Sequence, residues 1–142
     1  MKNPNLVIDI GQTFIKFVVI NDNYKILYHK ILNNNLLIKK DYLSYNVAKL
    51  EKIVTLNLKK ILKKYRIKKI IPITHGSAAF FLNDKKECFG GPHFLQSTSR
   101  KFDQSFYKDI KKKEDFTHSI RLSNFHNLGK SFYYLLKLEK KF

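Results

Sequence analysis

The fold of this 142-residue chain is decided near its start by the stretch Leu6-Val7-Ile8-Asp9-Ile10-Gly11-Gln12-Thr13-Phe14-Ile15-Lys16-Phe17-Val18-Val19-Ile20. Two apolar, β-branched runs flank Gly11-Gln12-Thr13, and this pattern predicts a β-hairpin with a tight turn. If Gln12 and Thr13 form the turn, Asp9 lies opposite Lys16, and opposite side chains on one face of a hairpin have Cβ atoms about 4.5–5.5 Å apart. The stretch therefore predicts an acid beside a base below an open backbone turn, an arrangement suited to a metal-bound polyphosphate.

Composition indicates one ordinary globular domain. The chain is long enough to bury a core, and hydrophobic residues make up 44% of it, which argues against disorder. Its one cysteine, Cys88, cannot form an internal disulfide, a usage typical of a reducing cytoplasm. No apolar run approaches the roughly 20 residues that a membrane span needs, and the residues before Leu6 do not have the form of a signal peptide. We therefore expect a cytoplasmic protein with no membrane partner.

A formal net charge of +17 is the most pronounced compositional feature, and by itself it would favour a nucleic-acid partner. The distribution of the charge argues against that partner. Arginine, the residue favoured for bidentate contacts to guanine and phosphate, occurs only at positions 66, 100 and 121, and the lysines are spread along the chain. Lys, Asn, Ile, Phe and Tyr are abundant together, as a strongly AT-biased genome would produce. The sequence thus favours a solvated basic surface over a nucleic-acid interface.

The segments after the hairpin predict a mixed sheet. The polar turn Asn21-Asp22-Asn23 leads to a third strand, Tyr24–Leu32, whose lysines suit a position near a sheet edge. Three strands therefore form an antiparallel meander. Ile70–Thr74 follows a helical segment, and a strand-helix-strand order implies a crossover that sets this strand parallel to an earlier one. Pro72 cannot donate to a ladder, which weakens a central position for that residue.

The crossover element is predicted to be a long amphipathic helix. Its apolar positions recur at spacings of three, four and seven residues, and they are Val47, Leu50, Val54, Leu58, Ile61, Leu62 and Tyr65. Ser44 or Asn46 is suited to the N-cap, and Lys63 and Lys64 are suited to the C-terminal end of the helix dipole. Residues 33–45, before the helix, are predicted to be a loop. We expect the helix to pack on the sheet without chemistry of its own.

The second half of the chain has weaker patterning. A short strand is predicted over Ala78–Leu82, and Gly90-Gly91 is predicted to be a turn. Helices are predicted near Gln104–Lys112, Glu114–Leu122 and Lys130–Phe142. The last of these ends without a cap, which suggests a domain completed by something absent. The predicted fold class is α/β, with a mixed sheet, a crossover helix and further helices toward the C-terminus.

Two motifs resemble a known family. The pattern Asp9-x-Gly11-x-Thr13-x-x-Lys16 resembles the first phosphate motif of the superfamily of sugar kinases, Hsp70 and actin, whose ribonuclease-H-like, actin-like ATPase domain has the element order predicted here. Ile73-Thr74-His75-Gly76, followed by a strand and a polar turn, is similar to the FGGY carbohydrate kinases, nearest to their rhamnulokinase and fuculokinase-like branch. The predicted last helix also resembles a helix of that branch's N-terminal lobe. The resemblance is good over residues 5–86, patchy over residues 87–113 and moderate after that.

The resemblance implies that the hairpin binds Mg·ATP. Backbone N–H groups around Gly11, Gln12 and Thr13 would cradle the phosphates, because a tight turn directs its unpaired donors outward. Lys16 would contact the outer phosphates as a point charge. Asp9 would hold Mg²⁺, through water, because this ion keeps much of its hydration shell.

The resemblance also implies a sugar substrate. Thr74, His75 and Gly76 would face the sugar hydroxyls, at the carboxyl end of a strand, where ligands sit in open α/β sheets. The segment Cys88–Arg100 departs from the sugar-contacting loop of the family, so the identity of the sugar stays open. His75 alone is equally well explained as a hydrogen-bonded structural residue.

By this resemblance, residues 1–142 form the N-terminal lobe of an ATP-dependent carbohydrate kinase that transfers the γ-phosphoryl group to a sugar hydroxyl. The catalytic base, a second phosphate loop and the adenosine pocket would belong to a separate C-terminal lobe, so no catalytic residue is assigned. The chain alone is expected to be inactive or feeble. Two alternatives stay open, a non-catalytic binding or scaffold module that retains the fold and a basic nucleic-acid-binding protein. Asp9 and Lys16 would then form only a cross-strand ion pair.

Overall fold

A computed structural model gives the fold of the protein. The residues that the structure describes are 3–35, 37–39, 42–76, 79–109 and 124–137. The predicted helix over Glu114–Leu122 lies outside them, as do the last residues of the helix predicted to begin at Lys130. The chain divides into two compact units, which consist of residues 1–37 with 47–76 and residues 38–46 with 77–142.

The described part of the chain has five strands, then a helix, three more strands and two helices. In chain order they are β1 (Asn5–Ile10), β2 (Phe14–Ile20), β3 (Ile26–Asn33), β4 (Leu37–Lys39), β5 (Leu43–Tyr45), α1 (Val47–Lys64), β6 (Lys69–Thr74), β7 (Phe80–Leu82), β8 (Cys88–Gly90), α2 (Arg100–Asp109) and α3 (Leu128–Lys137). Within these ranges, no helix combines the length and the apolar character that a bilayer crossing requires. The predicted α/β class is confirmed.

The first unit contains a four-stranded sheet with the strand order β3-β2-β1-β6. The β1–β2 and β2–β3 pairs are antiparallel and β6 is parallel to β1, so the predicted meander and crossover are both confirmed. The hairpin register is also as predicted, since Asp9 lies opposite Lys16 and Ile10 lies opposite Ile15. The sheet is mixed because the two kinds of pairing meet at β1.

Alternation along β1 and β2 places the core of the first unit on one face of the sheet. Leu6 and Ile8 on β1, and Ile15, Phe17 and Val19 on β2, are all buried. Successive side chains of a strand point to opposite faces, so Asp9 and Lys16 lie on the other face. The hairpin thus has one apolar face that is packed and one face that carries the charged pair.

Helix α1 packs through part of the face that the sequence predicted. Leu50 and Ile61 are buried, whereas Leu62 is 49% exposed, so its predicted place on the packed face is wrong. Consecutive residues lie about 100° apart around a helix, so Leu62 turns away from the side on which its neighbour Ile61 is buried. A polar side chain, that of Asn57, is buried instead. Asn57 is buried because its Oδ1 accepts a hydrogen bond from the Lys30 Nζ at 2.8 Å and its Nδ2 donates to a backbone carbonyl of α1.

Strand β6 lies at the edge of the sheet among the described residues. An edge position suits Pro72, which has no N–H to donate. Every residue of β6 is exposed, and Ile70, Ile71 and Ile73 keep between 42% and 49% of their accessible surface. Three such isoleucines in one short strand form an unusual apolar surface for a water-facing edge.

Strands β4, β5 and β8 were not predicted from the sequence, whereas β7 confirms the strand predicted over Ala78–Leu82. Strand β4 pairs with β5 inside residues 33–45, which were predicted to be a loop, and β7 pairs antiparallel with β8. Gly90 is therefore the last residue of a strand, and its predicted place in a turn is wrong. Strands of three residues carry too little alternation to be distinguished from loop by pattern alone.

Polar caps set the starts of α2 and α3. The Ser99 Oγ accepts a hydrogen bond from the N–H of Phe102 at 3.2 Å, and the Asn127 Oδ1 accepts one from the N–H of Lys130 at 2.8 Å. These bonds satisfy N–H groups that have no partner inside the helix. Helix α2 therefore starts at Arg100, four residues before the predicted boundary, and α3 starts two residues before its predicted one.

A buried ion pair lies in the core of the second unit. The Lys130 Nζ donates to the Asp103 Oδ1 at 2.6 Å, and the lysine side chain is completely buried. The same Nζ donates to the carbonyl of Phe125 at 3.1 Å, while the Asp103 Oδ2 accepts from the N–H of Asn124 at 2.9 Å. Burial acts to raise the pKa of Asp103, but these hydrogen bonds and the charge of Lys130 outweigh it and hold the pKa below its usual value.

Candidate functional site

The turn between β1 and β2 is the first part of the candidate site. The N–H of Gly11 donates to the carbonyl of Phe14 at 2.9 Å, which closes the turn around Gln12 and Thr13. A Cβ on Gly11 would lie 3.1 Å from that carbonyl oxygen, so glycine permits the close approach of the two backbones. Gln12 and Thr13 are exposed. The turn is therefore open to a ligand on its outer side.

Asp9 and Lys16 lie directly below this turn. Their Cα atoms are partners across the hairpin, and the Lys16 Nζ lies 3.0 Å from the Asp9 Oδ2. The Asp9 side chain is 27% exposed and the Lys16 side chain is 42% exposed. An ion pair that remains this accessible can exchange part of its mutual contact for a charged ligand, since its attraction is screened by water.

Asn34 is a part of the site that sequence reasoning missed. It follows β3, and its Nδ2 donates to the carbonyl of Gly11 at 2.5 Å while its backbone N–H donates to the carbonyl of Thr13 at 2.8 Å. Asn34 is buried, whereas Asn33 and Asn35 on either side of it are exposed. Three consecutive asparagines in a predicted loop give no signal that would single out the middle one.

Thr74 is the last residue of β6, next to the end of β1, and His75 and Gly76 follow it. The parallel register sets Thr74 opposite Ile10, and the Thr74 Oγ1 donates to the Ile10 carbonyl at 3.3 Å. The His75 Nδ1 donates to the carbonyl of Gly76 at 2.9 Å. A Cβ on Gly76 would meet no atom within 4 Å, so there is open space beside this glycine. The fold thus brings both predicted motifs to the same end of the sheet.

The donor set of the hairpin fits a metal-bound polyphosphate. Asp9 offers carboxylate oxygen, the ligand type that Mg²⁺ prefers, and Lys16 offers a compact positive charge. Within the described ranges, no three His, Cys, Asp or Glu side chains come together into a metal-binding cluster. A metal ion at Asp9 would therefore take most of its ligands from phosphate oxygens and water, as Mg²⁺ does in phosphoryl-transfer sites.

Two aspartates that lie in the C-terminal half of the sequence have structural contacts. Asp103 is paired with Lys130 in the core of the second unit. Asp109 is exposed and its Oδ2 accepts a hydrogen bond from the hydroxyl of Tyr133 at 2.9 Å. Asp115 lies outside the described residues. The contacts of Asp103 and Asp109 are those expected of residues that stabilise their own unit.

The fold is similar to that of solved carbohydrate kinases. Comparison of the sequence with protein-family models and with curated proteins finds no match. A carbohydrate kinase from Novosphingobium aromaticivorans matches 96% of this chain with a TM-score of 0.80 at 19% identity, over 29% of its own length. Glycerol kinase from Plasmodium falciparum, solved with ADP, matches 96% of this chain with a TM-score of 0.62 at 13% identity, over 30% of its own length.

A third similar structure is xylulose kinase from Lactobacillus acidophilus, solved with a bound ligand. It matches 76% of this chain with a TM-score of 0.58 at 16% identity, over 22% of its own length. The chain therefore spans less than a third of the length of each of these kinases. At such low identity the likeness establishes the fold and not the activity. The chain has the fold of one part of the carbohydrate kinases, as the Asp9–Lys16 hairpin motif predicted.

Proposed function

We propose that this chain is the phosphate- and sugar-binding lobe of an ATP-dependent carbohydrate kinase. One observation carries the proposal. The Lys16 Nζ and the Asp9 Oδ2 lie 3.0 Å apart directly below the open Gly11–Thr13 turn, in a chain that has the fold of carbohydrate kinases. This arrangement supplies backbone donors, an ammonium group and a carboxylate within one hairpin, which are the groups that a magnesium-bound triphosphate needs.

The residues of the hairpin have distinct tasks in this proposal. N–H groups of the turn bind phosphate oxygens, and Lys16 neutralises charge on the outer phosphates. Asp9 would hold Mg²⁺, and the bound ion would supply positive charge that offsets the negative charge of the phosphates. Phosphoryl transfer depends mainly on position and on charge neutralisation, so a rigid hairpin with these groups contributes to both.

Thr74, His75 and Gly76 contact the sugar in this proposal. They lie at the same end of the sheet as the hairpin turn, because β6 runs parallel to β1 with Thr74 opposite Ile10. A hydroxyl, an imidazole and backbone groups are suitable partners for sugar hydroxyls, since each can donate or accept a hydrogen bond. Which sugar is bound depends on groups beyond these three residues.

A second polypeptide segment completes the kinase in this proposal. The chain spans less than a third of the similar kinases, and the described Asp103 and Asp109 have contacts within their own unit. The exposed isoleucines of β6 support a covering partner, because a water-facing apolar strand edge is unfavourable. We infer that a separate C-terminal lobe supplies the catalytic base, and that the chain alone is inactive or feeble.

Calorimetric titration with Mg·ATP tests the proposal. We expect the wild-type chain to bind, and we expect Asp9→Ala and Lys16→Ala each to weaken binding by about tenfold, because a charge-assisted contact contributes roughly 1.5–3 kcal/mol. Asp22→Ala and Lys25→Ala are matched controls, since these exposed residues carry the same charges in the β2–β3 turn. Binding that is equally insensitive to all four substitutions would contradict the phosphate-site proposal.

The same titration separates the two alternatives. A binding or scaffold module that has only retained the fold would not bind Mg·ATP at the hairpin. A nucleic-acid-binding protein, which the net charge of +17 favours, would bind DNA or RNA with an affinity that falls steeply as salt is raised. Nucleic-acid binding with a clear sequence preference that survives at physiological salt would favour that function over the kinase lobe.

A further inference from the structure

We propose that Asn34 is a positioning residue that aims the backbone of the hairpin turn at the phosphates, an inference that rests on the proposed function of that turn. Asn34 lies just after β3 and is 8% exposed. Its sequence neighbours Asn33 and Asn35 are exposed, although all three side chains are identical. The burial of the middle asparagine alone indicates a specific contact, and that contact is with the turn.

Asn34 holds the turn through two hydrogen-bond donors. Its Nδ2 donates to the carbonyl of Gly11 at 2.5 Å, and its backbone N–H donates to the carbonyl of Thr13 at 2.8 Å. The Gly11 N–H is held separately, because it donates to the carbonyl of Phe14 at 2.9 Å. Both carbonyls that flank the tip of the turn are therefore directed toward Asn34.

Because the peptide bond is planar, the hydrogen bond to the Gly11 carbonyl also sets the direction of the Gln12 N–H. The Gly11 carbonyl and the Gln12 N–H belong to one peptide plane, in which a trans bond directs them to opposite sides. The described residues contain no cis peptide bond. A hydrogen bond that fixes the Gly11 carbonyl toward Asn34 therefore fixes the Gln12 N–H away from it, on the outer side of the turn. This N–H is one of the donors that the proposed phosphate site requires.

The Asn34 amide contacts the protein through its donor half. The Asn34 Oδ1 is buried and has no hydrogen-bond partner among the described residues. A buried acceptor without a protein partner is unfavourable, and the hydrogen bond from the Nδ2 to the Gly11 carbonyl offsets that cost. The benefit of Asn34 is the donor half of its amide, and that donor contacts the candidate phosphate turn and not the core.

The test compares Asn34→Ala and Asn34→Asp with the matched controls Asn33→Ala and Asn35→Ala. Two readouts are measured, the order parameters of the Gln12 and Thr13 amides by ¹⁵N relaxation and the dissociation constant of Mg·ATP by calorimetry. Asn34→Asp keeps the size of the side chain but replaces the donor with an oxygen that faces the Gly11 carbonyl. We expect both Asn34 variants to lower the order parameters at the turn and to weaken Mg·ATP binding about fivefold or more, while the controls change the dissociation constant less than twofold.

The outcomes separate this inference from the proposed function. Wild-type binding that the Asn34 variants leave unchanged would overturn the positioning role, even if the turn becomes mobile. Order parameters that do not differ between the Asn34 variants and the controls would also overturn it. If the wild type does not bind Mg·ATP, both the proposed function and the phosphate-positioning role are wrong. The relaxation data then still show whether Asn34 anchors the turn. A urea titration of each variant identifies any global unfolding.

Discussion

The ammonium group of Lys130 lies 2.6 Å from the carboxylate of Asp103, 27 positions away in the sequence, and both side chains are buried. A charge removed from water is costly unless it is paired and hydrogen-bonded, and here each charge has further backbone partners. Replacing either residue alone with an uncharged one therefore leaves an uncompensated charge in the core of the second unit.

We predict that Lys130→Met and Asp103→Ala each lower the free energy of unfolding by about 3–5 kcal/mol, because each leaves the partner charge buried and unpaired. The combination Asp103→Leu with Lys130→Met should be less destabilising than the sum of the single changes, since it removes both charges together. Urea unfolding followed by circular dichroism measures these values. A Lys130→Met variant within about 1 kcal/mol of the wild type would show that the pair is not buried in solution.

The stability of the protein should fall as the pH drops from about 6.5 toward 4. Burial and the nearby charge of Lys130 lower the pKa of His126 to about 4, although Asp103 acts in the opposite direction. The unfolded chain therefore binds a proton at a higher pH than the folded one, so stability is complete above the unfolded pKa and is lost below it. The loss should reach on the order of 3 kcal/mol.

Urea unfolding at several pH values between 7.5 and 4 measures this dependence. His126→Phe removes the titrating group and keeps an aromatic ring next to Phe102 and Tyr134, which His126 contacts. The slope of unfolding free energy against pH should flatten in that variant. An unchanged slope would show that another group is responsible. At still lower pH, stability falls further because the pKa of Asp103 is held below its usual value.

The Asp9–Lys16 pair should contribute little to stability. Both side chains are partly exposed, and such pairs typically contribute about 0.2–1 kcal/mol. A double-mutant cycle of Asp9→Ala and Lys16→Ala, measured by urea unfolding, should give a coupling energy in this range. A coupling above about 2 kcal/mol would mean that the pair is a structural element, and it would weaken the reason to assign it to a ligand.

Gly91→Ala should destabilise the second unit by about 1–3 kcal/mol, the usual cost of overpacking. A Cβ at this buried position would lie 2.6 Å from the Phe81 ring and 3.2 Å from a methyl group of Leu135. Gly76→Ala is the matched control, because a Cβ there meets no atom within 4 Å. Thermal unfolding measures both variants. Equal melting temperatures would contradict the close packing around Gly91.

Local patterns were sufficient for the first unit. Alternation in β1 and β2 and the small residues of the turn predicted the hairpin and its register, because both depend on neighbours in the sequence. The helical spacing of α1 predicted the crossover, and a crossover connection sets β6 parallel to β1. Leu62 was placed wrongly because spacing alone does not choose between adjacent positions at the border of a helix face.

The second unit was predicted less well, for a physical reason. Its strands have three residues each, too few for an alternating pattern to stand out. Its helices start at the capping residues Ser99 and Asn127, and serine and asparagine are too common in sequences to mark a helix start by themselves. Lys130 was predicted only as one residue of an amphipathic helix. A lysine on such a helix is normally exposed, and only a carboxylate brought from α2 allows it to be buried.

The sequence by itself determined the hairpin and its Asp9–Lys16 register, because alternation and turn chemistry act between near neighbours. It also determined that Thr74 ends a strand parallel to β1, because a strand-helix-strand order implies a crossover. Only the tertiary structure decided which asparagine of three anchors the turn and which lysine is buried. Those contacts join residues 23 and 27 positions apart, and no local pattern encodes a partner at that separation. They form because packing brings the end of β3 to the turn and α3 to α2.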